Sequence, residues 1–167
     1  MVQDSSTKIM QGINDCCAVN AINLVSTALL ATTSQAMDEN ELIRILSFYN
    51  VLITGLNYSD RITLTRQNPE ELIARAEALN LIHRRKHEMG DFIYLDSSNT
   101  ILLTYYRNNT LHLFALPSLI ACCFNNTQRI SREKIIQYIS TTFPFLKSEF
   151  FLPWETDEME SIVEYGL

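Results

Sequence analysis

The stretch Asp91-Phe92-Ile93-Tyr94-Leu95-Asp96-Ser97-Ser98-Asn99-Thr100-Ile101-Leu102-Leu103-Thr104-Tyr105-Tyr106 decides how the fold is read. Aromatic and β-favouring residues flank the turn-forming tetrad Asp96 to Asn99, which predicts a β-hairpin with strands over 91–95 and 100–106. Immediately upstream, Asn68 can cap a helix, Pro69 fits its first turn, and Glu70 and Glu71 suit its positive end. Leu72, Ile73, Ala76 and Leu79 then make its buried stripe, and its end should carry the run His83-Arg84-Arg85-Lys86-His87. Further back, Met37-Asp38-Glu39-Asn40-Glu41 reads as a capping box with an apolar residue just outside it. The helix it opens buries Leu42, Ile45, Leu46, Tyr49 and Ile53 and ends near Gly55. An earlier core helix over 18–31 follows from Val19, Ile22, Val25, Ala28 and Leu29, spaced three or four apart. Three helices followed by a hairpin is the order of a winged-helix unit.

The second half repeats the opening of that pattern at an offset of about 93 residues, with Gln128-Arg129-Ile130-Ser131 aligned on Gln35-Ala36-Met37-Asp38. Ile135, Ile136 and Ile139 then fall where Leu42, Ile43 and Leu46 lie in the first copy, and 157–167 reads as the third helix of the second. The expected architecture is mainly α with a small antiparallel β-hairpin: a winged-helix-like unit over 1–112, then a second, incomplete helical unit over 113–167.

Composition agrees with a helical chain. Across 167 residues, 47% are hydrophobic and 19% charged, enough apolar material for a packed core. Gly and Pro are four each, about 5% of the chain against a usual share of roughly 12%, which disfavours a turn-dense barrel. Thirteen basic and nineteen acidic residues leave a net charge of -6, the wrong sign for wrapping nucleic acid. The apolar stretch 111–124 is interrupted by His112, Pro117 and Ser118 and falls short of the ~20 residues that cross a bilayer. No signal region follows Met1. The cysteines, paired as Cys16-Cys17 and Cys122-Cys123, have neither zinc spacing nor a nearby histidine ligand, so no metal site and no cofactor is expected and reduced thiols are. The sequons at Asn57, Asn108 and Asn125 carry no meaning without secretion.

Three constellations hold chemistry. Gln11-Gly12-Ile13-Asn14-Asp15-Cys16-Cys17 sets a thiol before an expected helix start, where peptide dipoles favour thiolate. A papain-like peptidase would use Cys17, or Cys16, with Gln11 as oxyanion donor and His83 or His112 as base; ordinary core packing of small cysteines is the competing reading. Arg84, Arg85 and Lys86 could meet phosphate or an anionic lipid surface, or simply compensate the negative end of a helix. Duplex binding by the preceding helix is disfavoured, because Glu70, Glu71 and Glu77 outnumber Arg75. The sharpest cluster is Tyr105, Tyr106, Arg107, Asn108 and His112, where aromatic, guanidinium and amide groups concentrate. Arg107 can hold a carboxylate or phosphate in bidentate fashion, or the cluster can tie down the junction between the two units.

Four blocks then carry a resemblance. Ile13-Asn14-Asp15 with Ala18-Val19-Asn20-Ala21, Tyr105-Tyr106-Arg107-Asn108-Asn109 with His112, Leu116-Pro117-Ser118-Leu119-Ile120, and Leu146-Lys147-Ser148-Glu149-Phe150-Phe151-Leu152 with Trp154 occur in order over nearly the whole chain. They resemble the carboxy-terminal region of bacterial glycerol-3-phosphate acyltransferases. The resemblance implies a parent enzyme at the cytoplasmic face of the inner membrane, moving an acyl group from acyl-CoA or acyl-carrier protein to sn-glycerol 3-phosphate in phospholipid biosynthesis. The family's His-x-x-x-x-Asp motif is missing: Glu88 follows His83 at that spacing, Phe92 follows His87, and Pro117 follows His112. The segment should therefore be inactive alone and soluble, with the upstream catalytic domain as its partner, no nucleic acid, and at most peripheral membrane contact. Cys16-Cys17 departs from the family pattern, which has alanine-like residues there.

Overall fold

The structure, a computed structural model, describes residues 2–56, 58–88, 90–125, 127 and 129–166. In chain order the elements are α1 (Val2–Asp15), β1 (Ala18–Val19), α2 (Ala21–Leu30), β2 (Ala36–Asp38), α3 (Glu39–Leu56), β3 (Thr63–Leu64), α4 (Pro69–Ala78), β4 (Ile82–Arg85), β5 (Phe92–Leu95), α5 (Thr100–Asn108), α6 (Leu111–Cys122), α7 (Arg132–Phe150) and α8 (Met159–Gly166). The protein is mainly helical, with a small antiparallel sheet. Two compact units form, one from 17–110 and one from 1–16 together with 111–167, where the sequence reading set 1–112 against 113–167.

In the 17–110 unit, α2 is the central helix: every residue from Ala21 to Leu29 is buried, which a helix surrounded by other elements requires. Its start is set by Asn20, whose side chain accepts from the Ile22 and Asn23 amides at 2.9 and 3.2 Å, while the Asn23 side chain accepts from the Asn20 amide at 3.0 Å. The expected helix over 18–31 therefore begins three residues later, and Ala18–Val19 instead pairs in parallel with Thr63–Leu64. Buried Ser26 and Thr27 stay satisfied by donating to carbonyls four residues back, Ile22 at 2.5 Å and Asn23 at 2.7 Å.

Caps place the next two helices where the sequence puts them. Asp38 Oδ1 accepts from the Asn40 and Glu41 amides at the head of α3, although Glu41 turns its carboxylate to Arg44 rather than back to the cap. At α4 both arms of the capping box close: Glu71 N–H donates to Asn68 Oδ1 at 2.8 Å, and Asn68 N–H donates to Glu71 Oε2 at 3.0 Å. Leu72, Ile73 and Ala76 are buried as expected, but Leu79 lies past the last helical residue and is 44% exposed. Asn80 then takes a left-handed conformation (φ 54°), and the chain enters a strand.

The expected hairpin is displaced. Its strands are 82–85 and 92–95, paired His83 to Tyr94 and Arg84 to Ile93, and β2 adds to the other side of β5, giving the order β2-β5-β4. The cationic run belongs to a strand and the loop after it, not to a helix end. Residues 100–106, expected as the second strand, are the body of α5. Asp96 Oδ1 accepts from the Ser98 amide and starts a 3-10 turn over Ser97–Asn99, and Asn99 Nδ2 donates to the Asn80 carbonyl at 2.9 Å, so the chain leaves the sheet there. Beyond it, Leu103 is buried while 101, 105 and 108 are exposed, a helical spacing that consecutive apolar residues conceal.

The other unit contains four helices among its described residues. Ser131 caps α7, and Ile135 and Ile139 are buried, as Leu42 and Leu46 are in α3; Gln128, on which the repeat was aligned, lies outside the described residues, as does Asn57. The last helix, α8, falls within 157–167 as read, and buries Met159, Ile162 and Val163. Helix α7 ends at Phe151, left-handed at φ 53°, whose amide donates to the Lys147 carbonyl. The unexpected α1 holds that end: Asn14 Nδ2 donates to the Phe150 carbonyl at 2.8 Å and Gln11 Nε2 to the Leu152 carbonyl at 3.3 Å. No helix of the described residues is long and apolar enough to cross a membrane.

Candidate functional site

Tyr105, Tyr106, Arg107 and Asn108 share the last turns of α5 rather than a strand. Tyr105 is 63% exposed and meets the Tyr106 ring edge-on, with centroids 5.9 Å apart. The Tyr106 carbonyl accepts from Asn23 Nδ2 at 2.8 Å, which fastens the end of α5 to the buried α2. Arg107 turns its guanidinium to the neighbouring Asn108 Oδ1, at 3.1 and 3.3 Å. Fully buried Thr110 donates to the Arg107 carbonyl at 3.1 Å and closes the segment.

His112 does not join this surface. It is 4% exposed on α6, in the other unit, and burial drives its pKa down to about 4 against the opposing pull of a hydrogen bond with the Asn14 backbone and the charge of Asp15. At neutral pH it is an uncharged core histidine.

The cysteine constellation comes apart in the same way. Cys16 and Cys17 follow the carboxy-terminal end of α1, where the peptide dipoles oppose a thiolate, and α2 starts only at Ala21. Cys17 donates its S–H to the Asn109 carbonyl at 3.3 Å, and burial pushes its pKa up. Gln11, the expected oxyanion donor, serves α7 instead. His83 stacks at a tilt on Tyr94, with centroids 5.6 Å apart. None of these groups is arranged as a nucleophile with its base.

Strand geometry divides the cationic run. Successive side chains of a strand point to opposite faces, so Arg84 turns the other way from His83 and Arg85 and meets three carboxylates. Its Nη1 and Nη2 grip Glu39 at 2.5 and 2.7 Å, Nε and Nη2 reach Glu77 at 3.0 and 3.2 Å, and Nη1 reaches Asp91 at 3.2 Å. The Glu39 hydrogen bonds lead in raising its pKa further. One guanidinium among three carboxylates gives a net negative cluster, which repels an arriving anion. It ties the head of α3, the end of α4 and the hairpin. Arg85 and Lys86 are exposed. Close by, Gly90 takes φ 126°, and a Cβ there would stand 2.8 Å from Asp38 Oδ2, so the hairpin loop approaches the α3 cap as only glycine permits.

Of the features the sequence reading missed, α1 and the strand at 82–85 matter most. The latter left no periodic signal, since Ile82 is followed by three polar residues, His83, Arg84 and Arg85. Among the described residues no group of three or more His, Cys, Asp or Glu side chains is placed to hold a metal ion.

The described side chains thus define a mainly helical region with a small sheet, whose polar motif residues lock elements together. The Asn14 and Phe150 blocks meet in one unit, and Asn23, next to the Ala18-Val19-Asn20-Ala21 block, meets Tyr106 in the other. The family model for the glycerol-3-phosphate acyltransferase C-terminal region matches residues 1–167, and the chain belongs to that family. A glycerol-3-phosphate acyltransferase of Pseudomonas paraeruginosa is 41% identical over 159 residues, covering 95% of this chain and 19% of that protein. Those of Pseudomonas fluorescens (39% over 160 residues) and Pseudomonas putida (38% over 159) cover 96% and 95% of the chain. The chain spans about a fifth of the length of these relatives, 19% of each.

Proposed function

We propose that this chain is the non-catalytic carboxy-terminal part of a glycerol-3-phosphate 1-O-acyltransferase, and that it braces or regulates the catalytic part of the same polypeptide. The observation that carries the reading is the family match along the whole chain in a sequence that has no His-x-x-x-x-Asp motif. The parent transfers an acyl group from acyl-CoA or acyl-carrier protein to sn-glycerol 3-phosphate, giving lysophosphatidate for phospholipid synthesis at the cytoplasmic face of the inner membrane. The histidine of the missing motif is the base that takes the glycerol hydroxyl proton, and it belongs to the upstream part. Within 17–110, a winged-helix arrangement is supported by the order helix, strand, helix, strand, helix, strand, strand from α2 to β5, in which the short β3 pairs with β1 outside the sheet, and by the sheet order β2-β5-β4. Tyr105, Tyr106, Arg107 and Asn108 are the residues that face the upstream part, supported by their grouping at the end of α5. The exposure of Arg85 and Lys86 supports peripheral contact with an anionic surface.

The test is acylation of labelled glycerol 3-phosphate by full-length enzyme and by this chain alone. Activity is expected in the first and none in the second; turnover by the isolated chain would overturn the reading. Arg107→Ala in the full-length enzyme should lower turnover or thermal stability, and an unchanged enzyme would remove Arg107 from the interface.

A further inference from the structure

Helix α5 buries Leu103, 1% exposed, and turns three large apolar side chains outward: Ile101 at 86%, Tyr105 at 63% and Leu102 at 45%. Ile101 is the most exposed large apolar residue among those described. Ile101 and Tyr105 stand four apart and Leu102 and Tyr105 three apart, so on a helix they form one continuous face. Along the sequence the face is flanked by little negative charge, since no Asp or Glu occurs between Asp96 and Glu133 in a chain that has nineteen. The nearest cation in sequence, Arg107, donates to Asn108 Oδ1.

We propose that this face of Ile101, Leu102 and Tyr105 is where the upstream part of the same acyltransferase polypeptide docks; the inference rests on the function proposed above and supplies the contact face. The relatives carry this region as only 19% of their length, so most of each protein lies beyond the matched segment and is tethered to it. Tethering matters because the patch is small. Three side chains offer a few hundred Å², roughly, whereas a stable complex of separate molecules buries about 800 Å² on each partner. A covalently linked partner at high effective concentration holds on a patch of this size. A neutral apolar face also gives no grip to nucleic acid or to an anionic headgroup.

The experiment places the photo-cross-linking residue p-benzoylphenylalanine at position 101 of the full-length acyltransferase in intact cells. After irradiation, the expected product is an intramolecular link to a peptide upstream of this region, and it should be lost when Leu102→Glu and Tyr105→Glu are added. A link to a second copy, to phospholipid or to nothing would overturn the proposal, as would an upstream link that survives the double substitution. Should the charged pair prevent expression, the link formed from position 101 alone still decides. Acyl transfer by the isolated chain would defeat the proposed function; a missing link in an enzyme that needs its upstream part for activity would defeat only the docking face.

Discussion

His112 shows how burial converts a titratable side chain into a packing residue. An unfolded chain protonates it near its ordinary pKa of 6.5, whereas the folded unit holds it neutral down to about 4. The folded state therefore binds fewer protons in that window, and the stability contributed by keeping the ring neutral is complete above about 6.5 and declines as pH falls toward 4. The loss over the full window is about 3 kcal/mol. Urea midpoints of the wild type should fall over this range, and His112→Gln should flatten the slope; an equal slope in the variant would remove His112 as its source. The sequence offered His112 as a surface contact because it follows a polar cluster. What it could not show is that Thr110, fully buried two residues earlier, already turns the chain inward.

At the scale of elements, caps were the most legible feature. Asn68 with Glu71, Asp38 and Ser131 each open a helix within a residue of where the sequence sets it, because a side chain that satisfies orphan amides acts locally. The misread segments, 82–85 and 100–106, are those where tertiary context decides. Apolar neighbours in Ile101-Leu102-Leu103 fit a strand by composition, and only the exit after Asn99 and the burial of Leu103 against the unit select the helix. Two caps separate the local effect from the tertiary one. Asn68→Ala removes one helix cap and should cost about 1 kcal/mol. Asn23→Ala removes one arm of the α2 cap together with the donor to the Tyr106 carbonyl, so it should cost about twice that or more and release protection of α5 amides. Thermal melts and hydrogen exchange check both; equal effects would mean that the Asn23 to Tyr106 bond adds nothing.

On the scale of the whole molecule, three of the four resemblance blocks supply a group to a bond between distant parts of a unit: Asn14 with Phe150, and the Tyr106 carbonyl with Asn23. Asn14 reaches the Phe150 carbonyl across 136 positions in sequence. Asn14→Ala should lower protection of the α7 amides by about 1 kcal/mol in hydrogen exchange while leaving α2 to α4 unchanged; loss spread evenly over both groups would contradict the division into units. The sequence reading reached the family through these blocks but not their pairing, because nothing local in Ile13-Asn14-Asp15 announces a partner so far along the chain.

One unit is assembled from 1–16 and 111–167, stretches separated in sequence by residues 17–110. During synthesis, α1 emerges from the ribosome well before the carbonyls it caps exist. At ribosomal speeds of about 5–20 residues per second it waits roughly seven to twenty-seven seconds for them. The intervening residues 17–110 can settle in that interval, so their folding need not depend on the later one. Nascent chains arrested before residue 150 should therefore hold a protease-resistant segment over 17–110 beside a cleavable α1.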